Sequence, residues 1–381
     1  MTELLLNEEE MMLRNTVREF ADAELAPRAA GYDESGEFPY ENFRGLAQLG
    51  ILGLGIDEEY GGSGGTTRQM VVAVEEIARG CAATATILGA HLSLCTQYIE
   101  MFGTEGQKRE FIPPLVSGEK VGAFALTEPA AGSDAAALTT TGTRSNGGYV
   151  LNGAKTFITN APEAATMVVM ATQDRALGSR GINTFIVETD TPGIEINALH
   201  GKMGIRASSA AEILFDNCAV QEENRMGNEG DGFRMTMEVL NASRMAIAAQ
   251  CVGIAQATYD AALAYVKQRE AFGKKLSEFQ GLQWYLVDMA TKIETARLLT
   301  LKSATLKDED RPFITEASMA KMYCSRVAVE CADKAVQMHG GAGYFAPTDV
   351  ERYYRDAKVT EIYEGTTEVQ RLIIARNLLR D

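Results

Sequence analysis

From about residue 232 to 268 the chain carries almost no helix breaker except Gly253. Two more long helical patterns follow. Between 280 and 305, Leu282, Leu286, Met289, Ile293 and Ala296 step by four, three, four and three, the spacing of one helix face. "PFITEASMAKMYCSRVAVECADKAVQMHG" reads as a third, ending at Gly340–Gly341, and 367–380 as a shorter fourth. Long helices with short connections predict an antiparallel bundle.

The rest of the chain has a different pattern. The first third reads helical: Asn7 and Glu10 have the spacing of a capping box, and Leu13, Val17 and Phe20 follow, with Pro27 as the predicted stop. "TRQMVVAVEEIARG" repeats the pattern, and "ATILGAHLSLCTQYIEMFG", apolar on most sides, predicts a buried helix. Near residue 121 the period changes. "TMVVMAT", "INTFIVET" and "AEILFDN" are short, β-branched and bounded by turn residues, so the chain reads as β to about 225. Of the two Asn-Gly pairs, 146–147 and 152–153, the second is flanked by strand-like runs and predicts a hairpin turn. An α+β multidomain chain is expected, with helices in 1–120, β structure in 121–228 and a helical bundle in 229–381.

Bulk properties exclude several functions. A net charge of -16 with no basic cluster argues against nucleic acid. The start, "MTELLLNEEEMM", lacks a signal-peptide pattern, and no stretch has the ~18 apolar residues of a membrane span. Six scattered cysteines without a CxxC read as buried thiols of a reducing compartment, so a cytoplasmic protein is expected. Three histidines, none at metal-ligand spacing, argue against zinc.

Nucleotide motifs fail too. "LGLGIDEEYGG" lacks the third glycine of GxGxxG, and no GxxxxGK[ST] occurs. "ALTEPAAGSD" (125–134) could present backbone N–H groups to an anion or a flat ring edge, or be an ordinary polar loop. "EIYEGTTEVQR" (361–371) puts Glu364 at the tip of a turn before a helix, with Thr367 and Gln370 at capping-box spacing. Such a carboxylate can simply favour the positive helix end. If burial raises its pKa it can also act as a base.

Taken together, "AFALTEPAAGSD", "YVLNGAKTFITN", "KMGIRAS", "REAFGK", "QMHGGAGY" and "IYEGTTEVQR" resemble, in order and over essentially the whole chain, the acyl-CoA dehydrogenase family. The set is most similar to short-chain (butyryl-CoA) dehydrogenases, and "GLQWYLVDMATK" is also similar to acryloyl-CoA reductases. The resemblance implies an N-terminal helical domain, a central β-barrel and a C-terminal four-helix bundle. It also implies a homotetramer, one FAD per subunit and an electron-transferring flavoprotein as acceptor.

It further implies residue roles. Glu364 matches the base that takes the α-proton while the β-hydrogen leaves as hydride to flavin N5. A neighbouring backbone N–H would bind the thioester oxygen. Some relatives carry the base directly before an arginine on another helix; here that position is Ser243, before Arg244, so Glu364 is the candidate. Phe124 to Ser133, with Leu126, Thr127 and Gly132, would line the flavin. Phe157, Ile158 and Thr159 would cover its ring, Phe157 standing where many relatives have tryptophan. Arg269, Phe272 and Gln280 would reach the cofactor of another subunit. Gln337, Gly340 and Gly341 would approach the adenosine, and Thr366 and Glu368 would complete the site. Ser133, Asn241, Arg244, Tyr363 and Gly365 would touch acyl-CoA, although relatives often have aspartate at the position of Asn241. The alternatives are an enoyl-CoA reductase of the acryloyl-CoA type and a silent acyl-CoA-binding protein; an oxidase would commonly carry a further C-terminal domain.

Overall fold

The computed structural model describes residues 5–380. Helices come first: α1 (Glu8–Phe20), α2 (Ala26–Ser35), α3 (Tyr40–Gln48), α4 (Thr67–Gly80), α5 (Ala82–Leu88), α6 (Gln97–Phe102) and α7 (Glu105–Val116). The Asn7–Glu10 capping box forms, each side chain accepting the other's backbone N–H. Pro27 does not stop the chain's first helical run. A π-helical turn, Ala21–Leu25, carries it into α2, and Pro27 lies in the first turn of α2, where no intrahelical N–H is needed. The stop is Gly36, in the left-handed conformation. The predicted buried helix is α5, a π-helical stretch Gly89–Thr96 and α6, with residues 82–96 all buried.

The middle of the chain forms one sheet from β1 (Val121–Ala125), β2 (Thr141–Ser145), β3 (Gly148–Thr159), β4 (Ala164–Thr172), β5 (Ile182–Glu188), β6 (Ile194–Ala198), β7 (Ala210–Gln221) and β8 (Arg225–Met226). The order is β6-β7-β3-β2-β4-β5-β8, with β1 parallel to β4. Alternate residues of the long strands, among them Tyr149, Leu151, Met167, Val169, Phe185, Ile213 and Phe215, fill one apolar interior. The hairpin prediction needs correction. The turn between β2 and β3 is the first Asn-Gly, 146–147, and Asn152–Gly153 lies inside β3. There the register against β7 slips, and Gly153 (φ 145°) stands so close to Thr140 that a Cβ would lie 2.7 Å from its backbone.

The bundle is α8 (Gly232–Gln268), α9 (Gln280–Asp308), α10 (Ile314–His339), α11 (Asp349–Lys358) and α12 (Thr367–Leu378), with the hairpin β9 (Glu270–Ala271) and β10 (Lys274–Lys275) after α8. α8 and α10 pack directly against each other, and α9 packs on both. The first half of α8 joins the core shared with the N-terminal helices and β1; its second half packs in the bundle core with α9 and α10. Asp308, ending α9, accepts the N–H groups of Thr67 and Arg68 that open α4. Tyr98 of α6 links the sheet and the bundle through Thr184 (2.8 Å) and Thr236 (3.3 Å). The cap of α12 lies one residue earlier than the spacing suggests: Thr366, not Thr367, accepts from the Val369 N–H.

Candidate active site

Glu364 lies on the short turn between α11 and α12 and is one of the non-glycine residues with positive φ (51°); Gly365 follows at 93°. A left-handed non-glycine residue is strained and persists only where neighbours over-determine it. Here four side chains do so. Lys321 of α10 donates to the Gly365 carbonyl at 2.8 Å. Gln370 of α12 donates to the same carbonyl at 2.9 Å and to that of Glu364 at 3.3 Å. Ser243 of α8 donates to the Glu364 carboxylate at 2.5 Å. On the other side Tyr363 donates to Gln250 at 2.5 Å, whose amide in turn binds Thr86 and the Ala82 carbonyl.

Burial pushes the Glu364 carboxyl up from its ordinary value, against the Ser243 hydrogen bond and the charges of Lys321 and Arg244, which pull it down. The residue keeps some accessible surface although protein surrounds its carboxylate densely. Arg244 is 4% exposed, and burial lowers it to about 10 against the pull of Glu364. One guanidinium arm meets Asn241 at 2.5 Å, while its Nε is buried without a partner. The result is a carboxylate of raised proton affinity between a hydroxyl and two buried cations, an arrangement suited to proton transfer.

A second group of predicted residues lies on the sheet. Phe124, on β1, is buried against Tyr98, with ring centroids 6.1 Å apart. The following loop is tied to β3 by its main chain: Thr156 N–H binds the Thr127 carbonyl (2.9 Å), and Lys155 binds that of Leu126 (3.1 Å). Lys155 also donates to Glu128 at 2.7 Å, and both are fully buried. Burial raises Glu128, but the Lys155 charge and hydrogen bonds from Lys155, Thr140 and Thr139 outweigh it and hold the carboxyl at about 2. Gly132 and Ser133 are exposed. Between Lys155 and Ile158 a bulge breaks the register with β7, and Phe157, with φ 57°, is 72% exposed. Thr159 is partly accessible, whereas the Ile158 side chain points into the sheet interior and offers a ligand only its main chain.

A third group sits at the far end of the bundle. Arg269, Phe272, Gln280, Gln337, Gly340 and Gly341 are all exposed there, Phe272 at 96%. Tyr265 stacked on His339 (4.1 Å) holds the ends of α8 and α10 together. A Cβ on Gly340 or Gly341 would meet no protein atom. The 25 residues of α8 from Arg244 to Gln268 span ~37 Å at 1.5 Å each, so one chain does not bring this group to Glu364. Thr366 and the exposed Glu368 lie beside the Glu364 turn instead.

Sequence reasoning missed Lys321, Gln370, Gln250 and the Lys155–Glu128 pair. Lys321 was detectable. It falls on the helix face of Ala317, Cys324 and Ala328, all buried, where a lysine is out of place.

Three family models match: acyl-CoA dehydrogenase N-terminal domain over 7–119, middle domain over 123–218 and C-terminal domain over 230–379. The chain belongs to the acyl-CoA dehydrogenase family, oxidoreductases built as N-terminal helices, a central sheet domain and a C-terminal helical domain. The short-chain specific acyl-CoA dehydrogenase of Clostridium acetobutylicum is 45% identical, over 98% of this chain and 99% of the relative. The acryloyl-CoA reductase (NADH) of Anaerotignum propionicum is 44% identical, over 98% and 95%. Among solved structures, butyryl-CoA dehydrogenase of Megasphaera elsdenii superposes with a TM-score of 0.96 at 43% identity, over 98% and 99% of the chains. A structure described as the electron transferring flavoprotein of Acidaminococcus fermentans contains a chain matching with a TM-score of 0.97 at 44% identity, over 99% of both. Among the described residues, no helix is long and apolar enough to cross a membrane.

Proposed function

We propose that this protein is an FAD-dependent short-chain acyl-CoA dehydrogenase, with Glu364 as the base that takes the α-proton of the acyl thioester. The observation that carries the reading is the Glu364 turn: a strained, densely held carboxylate of raised proton affinity, hydrogen-bonded to Ser243 and flanked by Lys321 and Arg244. Backbone N–H groups at the same turn, beside Tyr363 and Gly365, would bind the thioester oxygen and stabilise the charge that develops there. Asn241, Arg244 and Ser133 would contact the rest of acyl-CoA.

The residues present fit FAD. Phe157 exposes a ring on a bulge where a flat apolar ligand can stack, and Thr127, Thr159 and Thr366 lie on the lining segments. Gly340 and Gly341 leave open space in which a ligand can approach the backbone closely. FAD, when bound, supplies the hydride acceptor; the protein supplies alignment and the proton base. Because Arg269, Phe272, Gln280 and Gln337 lie at the far end of the bundle, ~37 Å along α8 from Arg244 beside Glu364, they serve the cofactor of a neighbouring subunit, in a homotetramer. Exposed Trp284 and Val287 on α9 suit such burial. The same reading divides the chain at 120 and 228, places it in the cytoplasm in keeping with six unpaired buried cysteines, and passes electrons to an electron-transferring flavoprotein.

A reductive direction is the second reading, favoured by the 44% identity to an acryloyl-CoA reductase. Steady-state assays with butyryl-CoA plus an electron acceptor, and with crotonyl-CoA plus a reduced donor, separate the two. Turnover of butyryl-CoA supports the dehydrogenase. Turnover of crotonyl-CoA alone replaces it with the reductase.

A further inference from the structure

Lys321 is an unusual lysine. It is 0% exposed, and among the described residues no carboxylate lies within salt-bridge distance of its ammonium. A buried ammonium without a counter-ion is unfavourable and is normally replaced or paired. Its hydrogen bond goes to a backbone carbonyl, that of Gly365, directly after the base. That carbonyl has a second donor in Gln370, itself 0% exposed. Two buried side chains from two helices thus converge on the one peptide that fixes the direction of Glu364.

We propose that Lys321 is a positioning residue for the Glu364 base, its buried ammonium locking the Gly365 carbonyl and its charge favouring the ionised carboxylate. This rests on the reading of Glu364 as base. Glu364 cannot hold φ 51° by itself, and the carbonyl of Gly365, at φ 93°, faces inward onto buried Lys321 and Gln370. Lys321 supplies the inward partner. The charge acts as well as the hydrogen bond. Around Glu364 the groups are Ser243 and Arg244 from α8 and Lys321 from α10; around Lys321 they are Cys251 and Arg244 from α8, with Glu364 and Glu361 from the turn. Arg244 repels Lys321 and shares with it the task of favouring the carboxylate. Removing Lys321 leaves only the Ser243 hydrogen bond and the Arg244 charge to do so, and the proton affinity of Glu364 rises.

The test uses the FAD-loaded enzyme with K321M, which matches the side chain in length and has neither charge nor donor. Three results are expected. A crystal structure of K321M shows the Gly365 carbonyl turned and the Glu364 carboxylate displaced. Flavin reduction at saturating butyryl-CoA slows at least ~10-fold with the dissociation constant of acyl-CoA within ~3-fold, since the loss is in alignment and not in binding. The acid limb of the reduction rate moves up by about one pH unit, because Glu364 must be ionised to work and now holds its proton more tightly. K321R, which keeps charge and donors, returns the limb toward the parent. An unmoved turn with an unchanged rate and limb overturns the proposal. If K321M does not fold, K321Q decides: a parent-like limb in that neutral variant overturns it equally. E364Q run beside them separates the two claims, since normal flavin reduction in E364Q rejects the base itself, whatever Lys321 does.

Discussion

Lys155 and Lys321 are both fully buried, and they are held in opposite ways. Lys155 ends on a carboxylate, Glu128, which also takes the N–H groups of Thr139 and Thr140, so every charge in that pocket has an answer. Lys321 ends on a neutral carbonyl, that of Gly365, beside Glu364. Burial lowers both lysines to about 8, against the upward pull of Glu128 on Lys155 and of Cys251, Glu364 and Glu361 on Lys321, so it is the partner and not the value that differs. The first arrangement keeps a loop in place: Lys155 and Thr156 tie Leu126 and Thr127, proposed to line the flavin, to β3. The second places a charge without a salt-bridge partner next to the carboxylate proposed as the base, which an arrangement selected for stability alone would avoid. Buried charge in this molecule thus serves rigidity in the sheet and proton affinity in the bundle.

The largest expected effect removes the carboxylate that the bundle's charge serves. Glu364→Gln should bind FAD and acyl-CoA and lose flavin reduction by at least ~10²-fold in stopped-flow absorbance. Next, the two lysines should respond to the same substitution with opposite signs. Lys155→Met strands the Glu128 carboxylate and should destabilise the protein by about 3–5 kcal/mol in chemical denaturation, with Glu128→Gln in the same chain recovering a large part. Lys321→Met removes an unpaired buried charge and should be neutral or stabilising by on the order of 1 kcal/mol while activity falls. Equal destabilisation at both positions would break the comparison.

The pH dependence sharpens it. The folded-state value of Lys321, about 8, lies below that of the unfolded chain. Between about 8 and the ordinary lysine value the unfolded state therefore binds more protons, and parent stability rises with pH relative to K321M. The advantage of K321M should be largest near pH 7 and shrink by pH 10, as read by Tm. Glu128 behaves oppositely in acid. Its folded value of about 2 is depressed, so its contribution is complete above the ordinary glutamate range and is lost as pH falls toward 2. The smallest effect belongs to the outer group: Arg269→Ala should weaken FAD retention about 10-fold on gel filtration and leave Tm of the apoprotein unchanged.

Much of this was legible in the sequence, for a definite reason. Helix and strand segments announce themselves through period, and α8, α9 and α10 fall within a few residues of their patterns. The errors lie where two local signals competed. Asn152–Gly153 carries turn chemistry, but the strand continues because Gly153 is needed where Thr140 crowds the backbone, and the true turn takes the other Asn-Gly pair. Pro27 is a helix breaker by composition and a first-turn residue by position. The motif residues of the site were readable one at a time. Lys321 and Gln370 were not associated with Glu364, because their link runs through a backbone carbonyl 44 and 5 residues away, which no side-chain pattern encodes.

The most direct test of the account mixes the purified, FAD-loaded protein with butyryl-CoA without oxygen and follows flavin absorbance. Rapid bleaching is expected in the parent, with a loss of at least ~10²-fold in its rate in E364Q. Equal bleaching in both proteins would show that another group takes the proton. No bleaching in the parent, with FAD bound, would contradict the assignment as a short-chain acyl-CoA dehydrogenase.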